Sequence, residues 1–216
     1  MRASRDALIL HLLFGAAAVA VFMLLRPPAL GLGIVGLVIA YNLLLPFAAQ
    51  RGGHRDWFDL WTFLLPVSIF QVVPDWMLSQ LLGILQFPDV GAPRIGTVPV
   101  YMAGMWVIPL FWILWLSGRS LLFATVLALL VFGASEWAAP ILKLWRPLHV
   151  TESYGIAHYV LLPEALLGWA AAFAFRETRD SGALICIGAG AAVSIFYSGA
   201  LVLSYFLLER ASVHPG

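Results

Sequence analysis

The fold class this sequence predicts is all-α: a polytopic membrane helix bundle of about seven transmembrane helices with one short re-entrant or interfacial helix. Three observations predict it. The chain is 62% hydrophobic and only 11% charged. Its mean hydropathy of +0.94 is more than 216 residues could hide in a soluble core, because most residues of a small domain face water. Apolar runs of about 20 residues, the length that crosses the hydrocarbon as a helix, recur along the whole chain. Lipid satisfies no free backbone group, and the runs lack the dyad alternation of a membrane barrel, so each run is a helix.

The first span runs from Ala7 to Leu25. It follows Arg2 and Arg5 as a signal sequence would, but it is long and meets Arg26-Pro27-Pro28 without a small-residue cleavage site, so it is expected to be retained. Ala29 to Ala49 and Trp57 to Val73 are the second and third spans. Pro74-Asp75 then ends or kinks the third helix. Trp76 to Phe87 is apolar but too short to cross, which predicts the re-entrant or interfacial helix, and Pro88 to Arg94 turns the chain back. The remaining spans are Thr97 to Ser117, Leu121 to Trp137, Gly155 to Phe175 and Ala183 to Leu208. No internal repeat, low-complexity tract or soluble domain interrupts them, so residues 1–216 form a single integral-membrane domain.

Several function classes find no support. The net charge is +1 and the basic residues are scattered singly, so there is no electrostatic footprint for nucleic acid. Cys186, the single cysteine, forms no intrachain disulfide. His149, His158 and Glu152 have no metal-ligand spacing, and no cofactor is expected. The glycines of Gly31 to Gly36 and Gly182 to Gly190 lie inside spans and read as close helix packing, not as a phosphate loop. Lys143, the only lysine, is outside the apolar runs, and the serines lack a His and Asp arrangement.

What remains are four ionisable side chains within or beside apolar segments: Asp75, Glu136, His158 and Glu164. Such groups cost a few kcal/mol at bilayer depth on insertion scales and are paired, neutralised or functional. An odd number of spans places the end of the third helix, the end of the fifth and the start of the sixth at one face. Asp75 lies roughly 27 Å along from Trp57 and Glu136 roughly 22 Å from Leu121, whereas Glu164 is only about 14 Å past Gly155. Asp75, Glu136 and His158 therefore sit high in one leaflet and Glu164 nearer the midplane, with His158 close to two turns from Glu164 and Pro163 loosening that helix. Asn42 reaches the same level. Aromatic residues surround it, including Trp76, Tyr101, Trp106, Trp137 and Tyr159.

A buried carboxylic acid facing an aromatic-lined apolar chamber suits acid-initiated chemistry on a carbon–carbon double bond: the acid donates a proton and aromatic faces shelter the carbocation. Asp75 and Glu164 are the expected donor and partner, Glu136 and His158 the tuning or water-positioning groups, and Asn42, Trp76, Tyr101, Trp106, Trp137 and Tyr159 the substrate-binding residues. Each piece also has a plainer reading. Trp57, Trp145 and Tyr154 are expected as interface anchors. Asp75 suits a helix cap, Glu136 and His149 suit the solvated headgroup boundary, and Glu164 suits a hydrogen bond holding helices together.

Two stretches resemble the membrane carotenoid-biosynthesis hydratases. Ile95-Gly96-Thr97-Val98-Pro99-Val100-Tyr101-Met102, running into Met105-Trp106-Val107-Ile108-Pro109-Leu110-Phe111-Trp112, is similar to that family's Gly-rich turn, valine-proline and tryptophan helix. Glu136-Trp137-Ala138-Ala139-Pro140, followed by Trp145, Tyr154-Gly155-Ile156-Ala157 and Leu167-Gly168-Trp169, is similar to its acidic residue before a proline, aromatic loop and Tyr-Gly turn. The resemblance covers Pro66 to Trp169 and departs at Asp75, at Ala139-Pro140 and near Pro163-Glu164. It implies an enzyme that adds water to, or rearranges, an isoprenoid double bond without a redox cofactor; the changed polar set also suits cyclisation, as in the small integral-membrane terpene and lycopene cyclases. The expected partners are the bilayer and an apolar lipid or isoprenoid substrate, in a bacterial-type plasma membrane with the N-terminus cytoplasmic. That orientation rests on Arg2, Arg5, Arg51, Arg55, Arg119, Arg176 and Arg179 outnumbering Arg26, Arg94, Lys143, Arg146 and Arg210. The alternative is a carrier or lipid-binding protein using the same carboxylates as a proton or solute site.

Overall fold

The computed structural model describes residues 2–118 and 120–210; Arg119 and the side chains of Arg2 and Arg210, counted above for orientation, lie outside the described residues. The helices are α1 (Arg2–Leu24), α2 (Ala29–Gly52), α3 (Arg55–Phe70), α4 (Val72–Trp76) continued by a π turn (Met77–Leu81), α5 (Met102–Met105), α6 (Val107–Ser117), α7 (Leu121–Leu142), α8 (His158–Thr178) and α9 (Ala183–Tyr205). Among the described residues, α1, α2, the α3–α4 composite, α7, α8 and α9 are long and apolar enough to cross a membrane. The chain is an integral membrane protein on that ground. The α5–α6 pair, Met102–Ser117, is shorter, roughly 24 Å of helix against a hydrocarbon core of about 30 Å.

Local chemistry explains where the helices stop. Gly53 adopts φ 70° past the end of α2, which lets the His54 N–H reach the Ala49 carbonyl at 2.8 Å. Ser120 caps α7 by accepting the Phe123 N–H at 3.2 Å, and Lys143 ends it in the left-handed region at φ 59°.

Two interruptions depart from the simplest reading of the apolar runs. The separate short helix expected over Trp76 to Phe87 lies earlier in the chain and is continuous with the third span, which ends in the π turn; the chain from Leu82 onward leaves the helix for a strand. Pro74 has no N–H to give the Phe70 carbonyl, and Ser194 of α9 supplies the donor instead, its Oγ at 2.8 Å. The fourth span likewise begins at Met102, not Thr97, and breaks at Trp106, whose N–H donates to Ser68 Oγ of α3 at 3.1 Å.

The bundle is tied most closely through α7 with α8, α8 with α9, and α3 with α9. At the first of these, a Cβ on Gly168 would collide with Ala128 Cβ and approach the Ala124 carbonyl oxygen to 2.9 Å. Gly168→Val is therefore expected to force α7 and α8 apart and to destabilise the bundle by about 1–3 kcal/mol, the usual cost of overpacking. Thermal unfolding in detergent reads that loss directly, and an unchanged midpoint would deny the close approach.

Three two-residue antiparallel ribbons complete the described structure: β1 (Leu85–Gln86) with β4 (Arg146–Pro147), β2 (Arg94–Ile95) with β3 (Val98–Pro99), and β5 (Glu152–Ser153) with β6 (Ile156–Ala157). All belong to the loops 82–101 and 143–157. Counting crossings from α1, both loops lie at the face where α9 ends.

Candidate active site

Asp75, Glu136 and Glu164 come together at that face. They are 5%, 8% and 3% exposed, and all three line one small cavity of about 30 Å³. A space of that size admits a water molecule or two. Each carboxyl arrives for a local reason. Pro74 breaks the ladder one residue before Asp75. Glu136 lies on the inward face of α7 with Ala128, Phe132 and Ala139. Glu164 follows Pro163 on the most buried stretch of α8.

Indoles hold two of the carboxyls. Trp145 Nε1 donates to Glu136 Oε1 at 2.8 Å, and Trp106 Nε1 donates to Asp75 Oδ2 at 3.4 Å. Glu136 of α7 and Glu164 of α8 share this cavity. Glu164 Oε2 is buried with no partner within the described protein.

The roof of this cavity is the two loops knitted together. Leu85 pairs with Pro147, the Leu148 N–H donates to the Ile84 carbonyl at 2.9 Å, and Leu85, Phe87 and Pro147 line the cavity. Arg94 locks the first loop by donating to the carbonyls of Phe87, Pro88 and Thr97. The Gly31 N–H then ties it to the start of α2 through the Val90 carbonyl at 2.8 Å.

Beneath the roof a second, apolar chamber of about 430 Å³ lies between α1 and α2 on one side and α5, α6 and α7 on the other. Phe14, Phe22, Trp106, Trp112, Phe132 and Trp145 give it aromatic walls. Met102, Trp106, Trp145 and Glu164 line both the chamber and the carboxyl cavity, so these four form the partition between them. Along α7 the chamber runs from Leu142 to Val131, roughly 16 Å, or half of the hydrocarbon's ~30 Å.

Of the residues expected at the site, Asp75, Glu136, Glu164, Trp106 and Tyr159 meet there. The others lie elsewhere. His158 is hydrogen-bonded through Nε2 to Ser153 Oγ at 2.8 Å on the β5–β6 ribbon; six residues rotate a helix by about 600°, which sets it well away from the direction of Glu164. Trp137 is 55% exposed and Trp76 38% exposed, each one residue past a buried carboxyl and so turned about 100° from it. Tyr101 is buried with its hydroxyl 3.5 Å from the Leu144 carbonyl and lines neither the chamber nor the carboxyl cavity. Asn42 donates to the carbonyls of Val38 and Gly104, tying α2 to α5.

Two residues that line these cavities were not expected, and neither was a buried amide one turn before Asp75. Trp145, read as an interface anchor, is the hydrogen-bond partner of Glu136. Tyr197 of α9 lines the carboxyl cavity and meets Trp106 edge to face, ring centroids 6.0 Å apart. Gln71, fully buried, shares the helical face of Ser68 and Asp75, and neither end of its amide has a partner among the described residues. The i, i+3, i+7 spacing of Ser68, Gln71 and Asp75 was the available signal for it. Among the described residues no three His, Cys, Asp or Glu side chains are grouped to hold a metal ion.

Comparison with known proteins places the chain by family. The model for a domain of unknown function, DUF6989, matches residues 72–208, which include all three carboxyls and leave α1, α2 and α3 outside; the chain belongs to that family. No curated protein and no solved structure matches.

Proposed function

We propose that this member of the DUF6989 family is an integral-membrane enzyme that protonates a carbon–carbon double bond of an apolar, isoprenoid-type lipid, leading to hydration or to cyclisation. One observation carries the reading: Glu164 lines both the aromatic chamber and the cavity shared by the three carboxyls. It is the acid that a hydrocarbon in the chamber meets. Asp75 lines the carboxyl cavity and not the chamber, with Trp106 between them, so the donor role goes to Glu164 and Asp75 becomes its partner.

In this mechanism Glu136 accepts the Trp145 indole N–H, and Glu164 holds the proton that is transferred. The substrate enters from the lipid with its double bond against Glu164. Proton transfer to carbon leaves a cation sheltered by the faces of Trp106, Phe132 and Trp145, each able to contribute roughly 0.5–2 kcal/mol when desolvated. The cation is discharged by loss of a neighbouring proton to the Glu164 carboxylate, either directly or after ring closure has moved the charge, or by capture of a water from the small cavity whose extra proton returns to the same carboxylate. The roofed face keeps bulk water from quenching the cation first.

Trp145→Phe keeps the aromatic wall and removes the N–H donated to Glu136. About a 10-fold loss of turnover is expected, the worth of one charge-assisted hydrogen bond, with little change in substrate binding. Full activity in this variant would detach Glu136 from the chemistry.

Mass spectrometry of lipid extracts from an isoprenoid-producing host, with and without the protein, tests the reading. A product heavier by one water indicates hydration, and a new isomer of unchanged mass indicates cyclisation or isomerisation. No change across a broad isoprenoid panel would overturn it in favour of a carrier.

A further inference from the structure

A third pocket, of about 330 Å³, adjoins the site at the roofed face, lined by Gln86, Pro88, Pro140, Lys143, Trp145 and Arg146. Among the described residues its two charged side chains are both cations, and no acidic side chain lines it. Among the described residues neither cation is ion-paired. Lys143 stands at the C-terminal end of α7 in the left-handed conformation, φ 59°, and so projects from the helix end at the level where the chain leaves the hydrocarbon. Arg146 is held on strand β4 by Gln86 Oε1, which accepts from its Nε at 2.6 Å and leaves the terminal guanidinium nitrogens for a ligand.

The position of this pocket gives it meaning. Trp145 lines it, the apolar chamber and the carboxyl cavity alike. Within five consecutive residues the chain presents Leu142, Leu144 and Trp145 to the chamber and Lys143, Trp145 and Arg146 to the cationic pocket. An amphiphile at the membrane interface meets the same division: charge outside, hydrocarbon inside. Phosphate is the anion that an arginine fork and a lysine ammonium bind together, through charge-assisted hydrogen bonds. Basic pockets at headgroup level are where anionic lipids dock.

We propose that Lys143 and Arg146 form the headgroup end of the substrate site and bind the phosphate of a long-chain lipid whose tail passes Trp145 into the chamber. The assignment rests on the reading of the chamber as the lipid site and narrows it: the substrate is a phosphate-bearing lipid of the leaflet at the roofed face, with its reacting double bond in the part of the chain nearest the headgroup. Glu164 supports that register, because it lies only six residues into α8 from His158 at the same face, roughly 9 Å down.

The test is calorimetric titration of the purified protein in a neutral maltoside detergent with dodecyl phosphate, dodecanol and inorganic phosphate. Dodecyl phosphate is expected to bind about 10-fold or more tighter than dodecanol, and the K143Q/R146Q double variant is expected to erase the difference while leaving dodecanol binding and the melting temperature unchanged. Equal affinity for the two amphiphiles would overturn the headgroup assignment and leave the chamber reading intact. Binding of neither would overturn both. Inorganic phosphate binding as tightly as dodecyl phosphate would assign the pocket to a free anion and overturn the lipid.

Discussion

Glu164→Gln is expected to lower substrate turnover by about 100-fold or more while the bundle stays folded. Removing a positioned general acid costs about 10²–10⁴ in rate, or about 3–5 kcal/mol of transition-state stabilisation. The amide of Gln has the shape of the acid, but it has no acidic proton to give to carbon. Glu164 is 3% exposed, and among the described residues no other carboxyl lines the chamber, so none of them reaches the substrate in its place. A purely structural Glu164 predicts a different pattern: a falling melting temperature with turnover unchanged per folded molecule. Measuring both quantities on the same preparation separates the two. Activity within a few-fold of the parent would remove Glu164 from the chemistry.

Much of the fold is legible in the sequence because lipid imposes a length. A run of about 20 apolar residues has few uses other than crossing, and the expected spans from Ala29, Leu121 and Ala183 begin where α2, α7 and α9 begin. The interruptions are less legible. Pro74 announces a break, but that Ser194 would fill the vacated bond depends on how α9 packs, which no local pattern encodes. The pairing of Leu85 with Pro147 joins loops about sixty residues apart through two residues each, too short for any periodicity. Trp145 illustrates the limit for the site. A tryptophan just past a span is ordinarily an anchor at the headgroups, and only the roof built by β1 and β4 turns this one inward onto Glu136. Trp137 and Trp76 failed in the opposite sense: adjacency to a carboxyl in sequence is a turn of about 100° away from it on a helix. The three carboxyls were legible because charge at bilayer depth demands a reason.

Filling the chamber should be as damaging as removing the acid, and in a way that identifies the route of the substrate. Ala138 of α7 is half-buried and lines the chamber but not the carboxyl cavity. Ala138→Trp places an indole where the lipid tail is expected, leaving Asp75, Glu136 and Glu164 with their present partners. A chamber of about 430 Å³ accommodates the added ring, so the overpacking penalty of about 1–3 kcal/mol seen in filled cores is not expected and the melting temperature should hold. Turnover should fall by about 100-fold or more, because a chain held even a little out of line with the acid loses the advantage of positioning. The contrast with Glu164→Gln carries the argument: the Gln variant binds dodecanol as the parent does and loses turnover, whereas the Trp variant retains the acid and binds dodecanol more weakly. A dropped melting temperature in the Trp variant would mean that the space is not there. Undiminished turnover would mean that the substrate reaches Glu164 from the roofed face, through the loops, and not from the lipid.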